Sequence, residues 1–423
     1  MVPGLDLSED DRNLLDGEGG EAARLAMQIV LALAGAVGAE RLIDVTAAHV
    51  DGCLYQGQAS LDFAERLAAG GARVSVPTTL NVGSLDLLHP ERFRGAPGLA
   101  AAGRRLMDLY AGMGCRPTWT CAPYQVAEAR PRPGQHVAWA ESNAIVFVNS
   151  VLAARTERYG DFIDVCAAIT GRVPDAGLHR TENRRGQILF RLAGVPDRLL
   201  LNDLLYPVLG HVVGTRAGTG VPVIEGLPVD TPEDRLKALG ATAASSGSVG
   251  MFHAVGVTPE AATLDAALHD SRPGGVVEVT PEVLLEARRS LCTARGDSLD
   301  AVSVGTPHFS LQEFERLLEL LDGQRLRMPF YVSTGRDVLA EVRSRGWTEA
   351  LDRAGVTVVA DTCTYVTPIL EPEIGVVMTD SGKWAYYAPG NIGVEVILGS
   401  LEECVRSAVE GRVWRDPGLF ADQ

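Results

Sequence analysis

Short runs of apolar, β-branched residues recur along this chain, and each ends in polar groups with chemistry. Val302-Ser303-Val304-Gly305 leads into Thr306-Pro307-His308, and Val356-Thr357-Val358-Val359 leads through Ala360 into Asp361-Thr362-Cys363. Val376-Val377-Met378 leads into Thr379-Asp380-Ser381-Gly382-Lys383. Runs this short and apolar read as strands buried on both faces, as in parallel sheets. Ligands bind beyond the carboxyl ends of such strands, so a thiol, an imidazole, a carboxylate and an ammonium are expected to converge on one crevice. That arrangement points to an enzyme.

The rest of the chain keeps the same rhythm. Its pattern predicts helices over 21–37, 61–69, 104–112, 142–169 (broken or bent near Gly160), 199–212, 281–291, 311–321 and 338–354. Strands are predicted at 42–45, 72–76, 188–191, 221–225, 275–279, 299–305, 329–333, 356–360 and 374–378, with a short extended piece at 119–123. Strands alternating with helices of this length indicate an α/β fold with several parallel or mixed sheets flanked by helices. A chain of 423 residues exceeds one ordinary core. Three regions are expected, 1–135, 136–270 and 271–423, with the active site in the crevice between domains.

Composition narrows the function. With 46% apolar and 22% charged residues the chain is a folded protein, and its net charge of -16 disfavours a nucleic-acid or anionic-membrane surface. The apolar stretch 22–37 contains Arg24 and Gln28 and is too short and mixed to span a bilayer. Seven cysteines, an odd number without a secretory leader, fit reduced thiols in the cytoplasm. Cys53, Cys166, Cys292 and Cys404 lie in apolar or helical patterns and read first as small buried hydrophobes. Cys121, before Ala122-Pro123, and Cys363, after a strand, do not. Neither belongs to a close-spaced pair of the zinc type, so an iron or iron–sulfur centre gathered from distant segments, or a nucleophile, suits them better.

Lysine is nearly absent. Among 38 basic residues only Lys237 and Lys383 are lysines. Lys237 reads as part of a solvated helix face, whereas Lys383 follows a strand, where either a compact ammonium does what arginine's planar fork cannot or a lysine has been retained by chance. His49 and His308 each follow a strand, and each is either a structural histidine or a functional one. Asn81, Ser142 and Asn143 are neutral donors suited to a carboxylate or hydroxyl, although Ser142 could equally cap the helix it starts. The glycine-rich segments 214–220 and 245–250 read as turns first. Neither is a dinucleotide fingerprint or a P-loop.

Taken in order, these residues resemble the aconitase X family, specifically its catalytic large component. The matching segments are Ala48-His49-Val50-Asp51-Gly52, Val76-Pro77-Thr78-Thr79-Leu80-Asn81-Val82, Thr120-Cys121-Ala122-Pro123-Tyr124, Glu141-Ser142-Asn143-Ala144, 245–250 with Phe252-His253, Gly305-Thr306-Pro307-His308, Asp361-Thr362-Cys363 and Gly382-Lys383. The resemblance implies a hydro-lyase with an aconitase-like fold that eliminates water from a small hydroxy acid, assisted by iron. Cys121 and Cys363 would be metal or cluster ligands, with Thr306 or His308 near the third ligand position. Gly52, Cys53, Asn81, Ser142, Asn143 and Lys383 would line the substrate pocket, and Lys383, Ser142 and Asn143 would take part in catalysis.

One departure bears on the cofactor. Phosphomevalonate-type members carry a third cysteine where this chain has Thr306. A [2Fe–2S] cluster or a mononuclear iron is therefore as much in play as a [4Fe–4S] cluster, with Cys115 and Cys292 as possible substitute ligands. Thr306 also favours cis-3-hydroxy-L-proline, dehydrated to Δ1-pyrroline-2-carboxylate, over mevalonate 5-phosphate. It leaves room for a third reading, a metal-free regulatory or scaffold subunit. Aconitase-type enzymes close over substrate with a swivel domain, and the chain ends soon after the helical segment 401–410. A separate small subunit carrying the swivel is expected, and the base that takes the proton is one group such a subunit could supply.

Overall fold

The computed structural model describes residues 4–420 and divides into two compact units. The first takes the chain up to Leu85 together with Gly95–Arg184; the second takes Asp86–Arg94 and the chain from Arg185 onward. Among the described residues no helix is long and apolar enough to cross a membrane.

The first unit is organised by small residues. Helix Gly20–Ala36 buries Ala22, Ala23, Ala26, Met27, Val30, Leu31 and Ala34 on one face, the three-to-four spacing that an alanine-rich amphipathic helix requires. That face packs on helix Ile163–Thr170, which is buried almost all round. Strand β1 (Leu42–Asp44) pairs antiparallel with β5 (Arg172–Pro174). Strands β2 (Ala48–Val50), β3 (Thr78–Leu80) and β4 (Ala138–Trp139) form a parallel sheet with β2 central.

Three predicted elements differ here. The strand expected at 72–76 is not one: Val74 N and Ser75 N donate to Met113 O and Ala168 O, and pairing with β2 begins only after Pro77. The helical segment expected over 142–169, broken or bent near Gly160, is broken into two helices, Ser142–Ser150 and Ile163–Thr170, by a longer connection than a bend. Asn149 closes the connection between them, because its amide exchanges two 3.0 Å bonds with the Thr156 main chain. The piece at 119–123 is a turn, with Trp119 at φ 46° leading to a 3-10 helix at Pro123–Gln125.

The second unit carries two parallel sheets. One orders β6 (Ile188–Leu192), β7 (Pro222–Glu225), β8 (His253–Ala254) and β9 (Gly275–Val279) as β8-β7-β6-β9. The other orders β10 (Ala301–Phe309), β11 (Phe330–Thr334), β12 (Val356–Ala360), β13 (Val376–Thr379) and β14 (Glu395–Leu398) as β12-β11-β10-β13-β14. Strand β10 is central and buried at all nine positions, as the apolar run predicts. Helices Leu311–Leu321 and Leu401–Glu410, each opened by a Ser–Glu capping box, cover this sheet with Phe314, Leu317, Val405 and Ala408.

The glycine-rich segments are not simply turns. Gly214 lies inside helix Leu205–Ala217, and Ser245 and Ser246 end helix Glu233–Ser246. A Cβ on Gly214 would stand 2.7 Å from Ala243 O, so the glycine permits the close approach of these two helices.

Candidate functional site

In the first unit the expected residues gather around the ends of β2, β3 and β4. After β2 the chain turns at Asp51-Gly52, held by the Asp164 carboxylate, which accepts from Asp51 N at 2.6 Å and from Gly52 N at 3.3 Å. Gly52 is required there, because a Cβ would stand 2.8 Å from the Tyr110 hydroxyl. Cys53 is buried, its thiol directed at Asn81 O at 3.3 Å, and burial pushes it well above the usual thiol range. It is a protonated structural thiol. Asn81, 3% exposed at the end of β3, donates its amide to the Asp51 carboxylate, while its side-chain oxygen has no hydrogen-bond partner.

Cys121 is buried in the turn before Pro123. Its main-chain oxygen accepts from Asn143 Nδ2 at 2.9 Å, and Asn143 also donates to Glu141 and accepts from the Tyr124 hydroxyl at 2.7 Å. Both ends of this amide are thus engaged by the chain, which makes Asn143 a support for Cys121. The cap of helix Ser142–Ser150 is not Ser142 but Glu141, at φ 73°, whose carboxylate accepts from Ala144 N at 2.9 Å. Ser142 is the first helical residue, with its hydroxyl 3.3 Å from Glu141 Oε1.

An acidic cluster accompanies these groups. Burial, then the carboxylates of Glu141 and Asp161, pushes Asp51 up to about 8; burial and Asp161 push Asp164 up to about 7. The rule that ligands bind at strand ends could have flagged Asp51, which directly follows β2, whereas the signal for Asp164 is that it is the lone carboxyl in an apolar helix. His49 is fully buried, its Nδ1 is 2.8 Å from Thr79 Oγ1, and burial lowers it to about 3. It is a neutral imidazole whose buried Nε2 has no hydrogen-bond partner.

In the second unit, three strand ends meet. A bulge in β10 follows Val304, where Gly305 adopts φ 87° and a Cβ would stand 2.2 Å from Ser333 O. The bulge presents Thr306, whose buried hydroxyl has no hydrogen-bond partner and whose main-chain oxygen accepts from the Ser381 hydroxyl. His308 is fully buried with Nε2 3.2 Å from Thr362 O. Beyond β12, Asp361 turns the chain at φ 64°, and Arg336 anchors its carboxylate through bonds of 2.6 and 2.7 Å. That turn brings the ligand atoms of His308 and Cys363 within 4.8 Å of each other. Lys383, 4% exposed, lies in the first turn of helix Gly382–Asn391, which Ser381 caps by accepting from Trp384 N at 3.0 Å.

Lys237 is not on a solvated face. It is 3% exposed, lies 3.0 Å from Asp234, pairs with Glu313 and donates to the main-chain oxygen of His308 at 3.3 Å. Burial alone would lower it, but the two carboxylates outweigh that and hold it charged. A helical sequence pattern carries no sign of such a partner, since Glu313 lies 76 residues away. Cys292 is not a substitute ligand beside Cys363: its sulfur accepts from Leu398 N at 3.3 Å. Cys115, pushed up to about 12 by burial, has Asp164 as its strongest charged neighbour.

A buried thiol beside an imidazole is a donor pair suited to iron or zinc. Thr306 stands near them without a thiolate, so the second unit offers one sulfur and one nitrogen rather than two sulfurs.

Models of the first, second and third aconitase X domains match residues 4–182, 186–289 and 299–410. A cis-3-hydroxy-L-proline dehydratase of Pseudomonas aeruginosa is 43% identical over 95% of this chain and 70% of its own length. Its counterpart in Hypocrea jecorina is 42% identical over 96% and 69%. The phosphomevalonate dehydratase large subunit of Methanothermobacter thermautotrophicus is 36% identical over 95% of this chain and 98% of its own. The crystal structure of holo-form aconitase X from Thermococcus kodakaraensis superposes with a TM-score of 0.86 at 33% identity, covering 96% of this chain and all of that one. These relatives are hydro-lyases, and this chain belongs to the aconitase X family.

Proposed function

We propose that this chain is the catalytic component of a hydro-lyase that converts cis-3-hydroxy-L-proline to Δ1-pyrroline-2-carboxylate. The observation that carries this reading is the 43% and 42% identity to two cis-3-hydroxy-L-proline dehydratases, against 33–36% for the phosphomevalonate dehydratase large subunits. The reaction removes the C2 proton and the C3 hydroxyl as water, and the resulting enamine tautomerises to the cyclic imine.

Cys121, Cys363 and His308 are the residues we assign to iron. Two thiolates and an imidazole fit a mononuclear iron or a [2Fe–2S] centre, and Thr306 argues against a three-cysteine [4Fe–4S] site. Iron held there would supply a Lewis acid that makes hydroxide a tolerable leaving group. Lys383 would hold the substrate carboxylate as negative charge builds on C2, aided by Ser142, with Asn81 and Gly52 lining the pocket. Asn143 and Cys53 act through the main chain, the first by fixing Cys121 and the second by fixing the β3 end. A further small subunit, as the name of the archaeal large subunits implies for that branch, would close the site. The seven cysteines, none of them in a disulfide among the described residues, suit a reducing cytoplasm.

Dehydration of mevalonate 5-phosphate is the second reading, favoured by the archaeal large subunits, which this chain covers over 98–99% of their length. The test is turnover of both substrates by the anaerobically purified, iron-loaded holoenzyme. Conversion of the hydroxyproline alone supports the first reading; conversion of mevalonate 5-phosphate alone overturns it.

A further inference from the structure

Asp51 has no role in the account above, yet its setting is unusual. It is half-buried, and the charged groups that act on it most are carboxylates: Glu141, Asp161 and Asp164. Its one side-chain donor is the Asn81 amide nitrogen. The other end of that amide, Asn81 Oδ1, is buried and has no hydrogen-bond partner, although Asn81 is 3% exposed. Buried acceptors are nearly always paired, so an orphaned one calls for a donor that is brought in. Burial and like charge hold Asp51 protonated, and an arriving cation would ionise it, so this carboxyl and the neighbouring carbonyl ask for the same thing: a positively charged group with more than one N–H.

We propose that Asp51 and the side-chain carbonyl of Asn81 form the receptor for the secondary ammonium of a cyclic amino-acid substrate. A ring ammonium carries two N–H bonds, one for the carboxylate and one for the carbonyl, and charge-assisted bonds of this kind are the strong ones. A nitrogen-free hydroxy acid offers neither, and its binding would leave the Asn81 carbonyl unpaired and Asp51 with the Asn81 amide as its one side-chain donor. Asp51 is therefore the residue that selects an amino acid over a phosphorylated or simple hydroxy acid. This inference rests on the hydroxyproline reading and adds the group that recognises the nitrogen.

The experiment compares two unreactive ligands on the iron-loaded holoenzyme, L-proline and cyclopentanecarboxylate, which differ in the ring nitrogen. Both are titrated by calorimetry into wild type and Asp51→Asn, and KM and kcat for cis-3-hydroxy-L-proline are measured alongside. Wild type should bind L-proline at least tenfold more tightly. Asp51→Asn should lose about tenfold to a hundredfold of that preference and raise KM more than it lowers kcat, with cyclopentanecarboxylate binding retained as the sign of an intact fold. An unchanged preference in Asp51→Asn, beside a wild type that turns over the hydroxyproline, overturns the receptor and leaves the proposed reaction standing. Equal loss of both ligands in the variant also overturns it, because the role would then be structural. A wild type that neither prefers L-proline nor turns over the hydroxyproline overturns both.

Discussion

The two units bring opposite chemistry to their strand ends. In the first, the turn after β2 is acidic: Asp51 and Asp164 are raised by burial and by neighbouring carboxylates, and amides rather than cations pair with them. In the second, the ends of β10, β12 and β13 carry an imidazole, a thiol and the chain's two lysines close by in sequence or hydrogen bonding. An acidic turn suits a cation, whereas a thiol–imidazole pair with the Lys383 ammonium suits a metal and an anion, Lys237 being already paired with Asp234 and Glu313. A zwitterionic substrate such as a hydroxylated amino acid asks for both, and a phosphorylated hydroxy acid asks for only one.

The sharpest way to break the comparison is His308→Ala. If the second unit holds iron through nitrogen as well as sulfur, this variant loses bound iron and its turnover falls to background, both read in one preparation. Retention of iron would move the third ligand elsewhere. A smaller effect is expected from Asn143→Ala in the first unit, which releases the Cys121 main chain without touching a thiol. Iron affinity should fall by about tenfold to a hundredfold, the usual cost of removing a group that orients a ligand, measured by competition with a chelator.

Lys237→Met probes the support beneath His308 in the second unit. It leaves Asp234 and Glu313 facing each other without their cation, and breaking a buried pair in this way costs about 3–5 kcal/mol, to be read by chemical denaturation. A further test distinguishes the units by pH. Carboxyls that ionise near 4 when unfolded keep their protons to about 7 and 8 in the folded first unit, at Asp164 and Asp51. Between those values the folded state binds more protons, so stability falls as pH rises from about 4 to about 8 and levels off above that. Denaturation from pH 5 to 8.5 should show this slope in wild type and a shallower one in Asp51→Asn.

The second unit was the more legible in sequence, for a physical reason. Strand β10 is buried at every position and β12 and β13 carry no exposed residue, so these three appear as mostly apolar runs whose ends lead to His308, Cys363 and Lys383. The first unit has strands of two or three residues, too short for any periodicity, and its functional turns rest on contacts between distant segments. Asp164 supports Asp51 from 113 residues away, and Asn143 holds Cys121 across 22. The acidic cluster went unread for that reason, as did the burial of Lys237. Composition barely changes across Arg184–Arg185, where the chain passes between units, because both sides are ordinary α/β sequence. The family motifs did reach both units, since Cys121, Asn81 and Asn143 are identified by their neighbours in sequence even where the fold around them is not.

Iron binding that needs Cys121 and Cys363 is what the proposed dehydration depends on. It is tested most directly by quantifying iron per chain and cis-3-hydroxy-L-proline turnover in the same anaerobic samples of wild type, Cys121→Ala and Cys363→Ala. The account predicts that wild type carries iron and forms Δ1-pyrroline-2-carboxylate, and that each variant loses both. Either variant retaining both iron and turnover would contradict it.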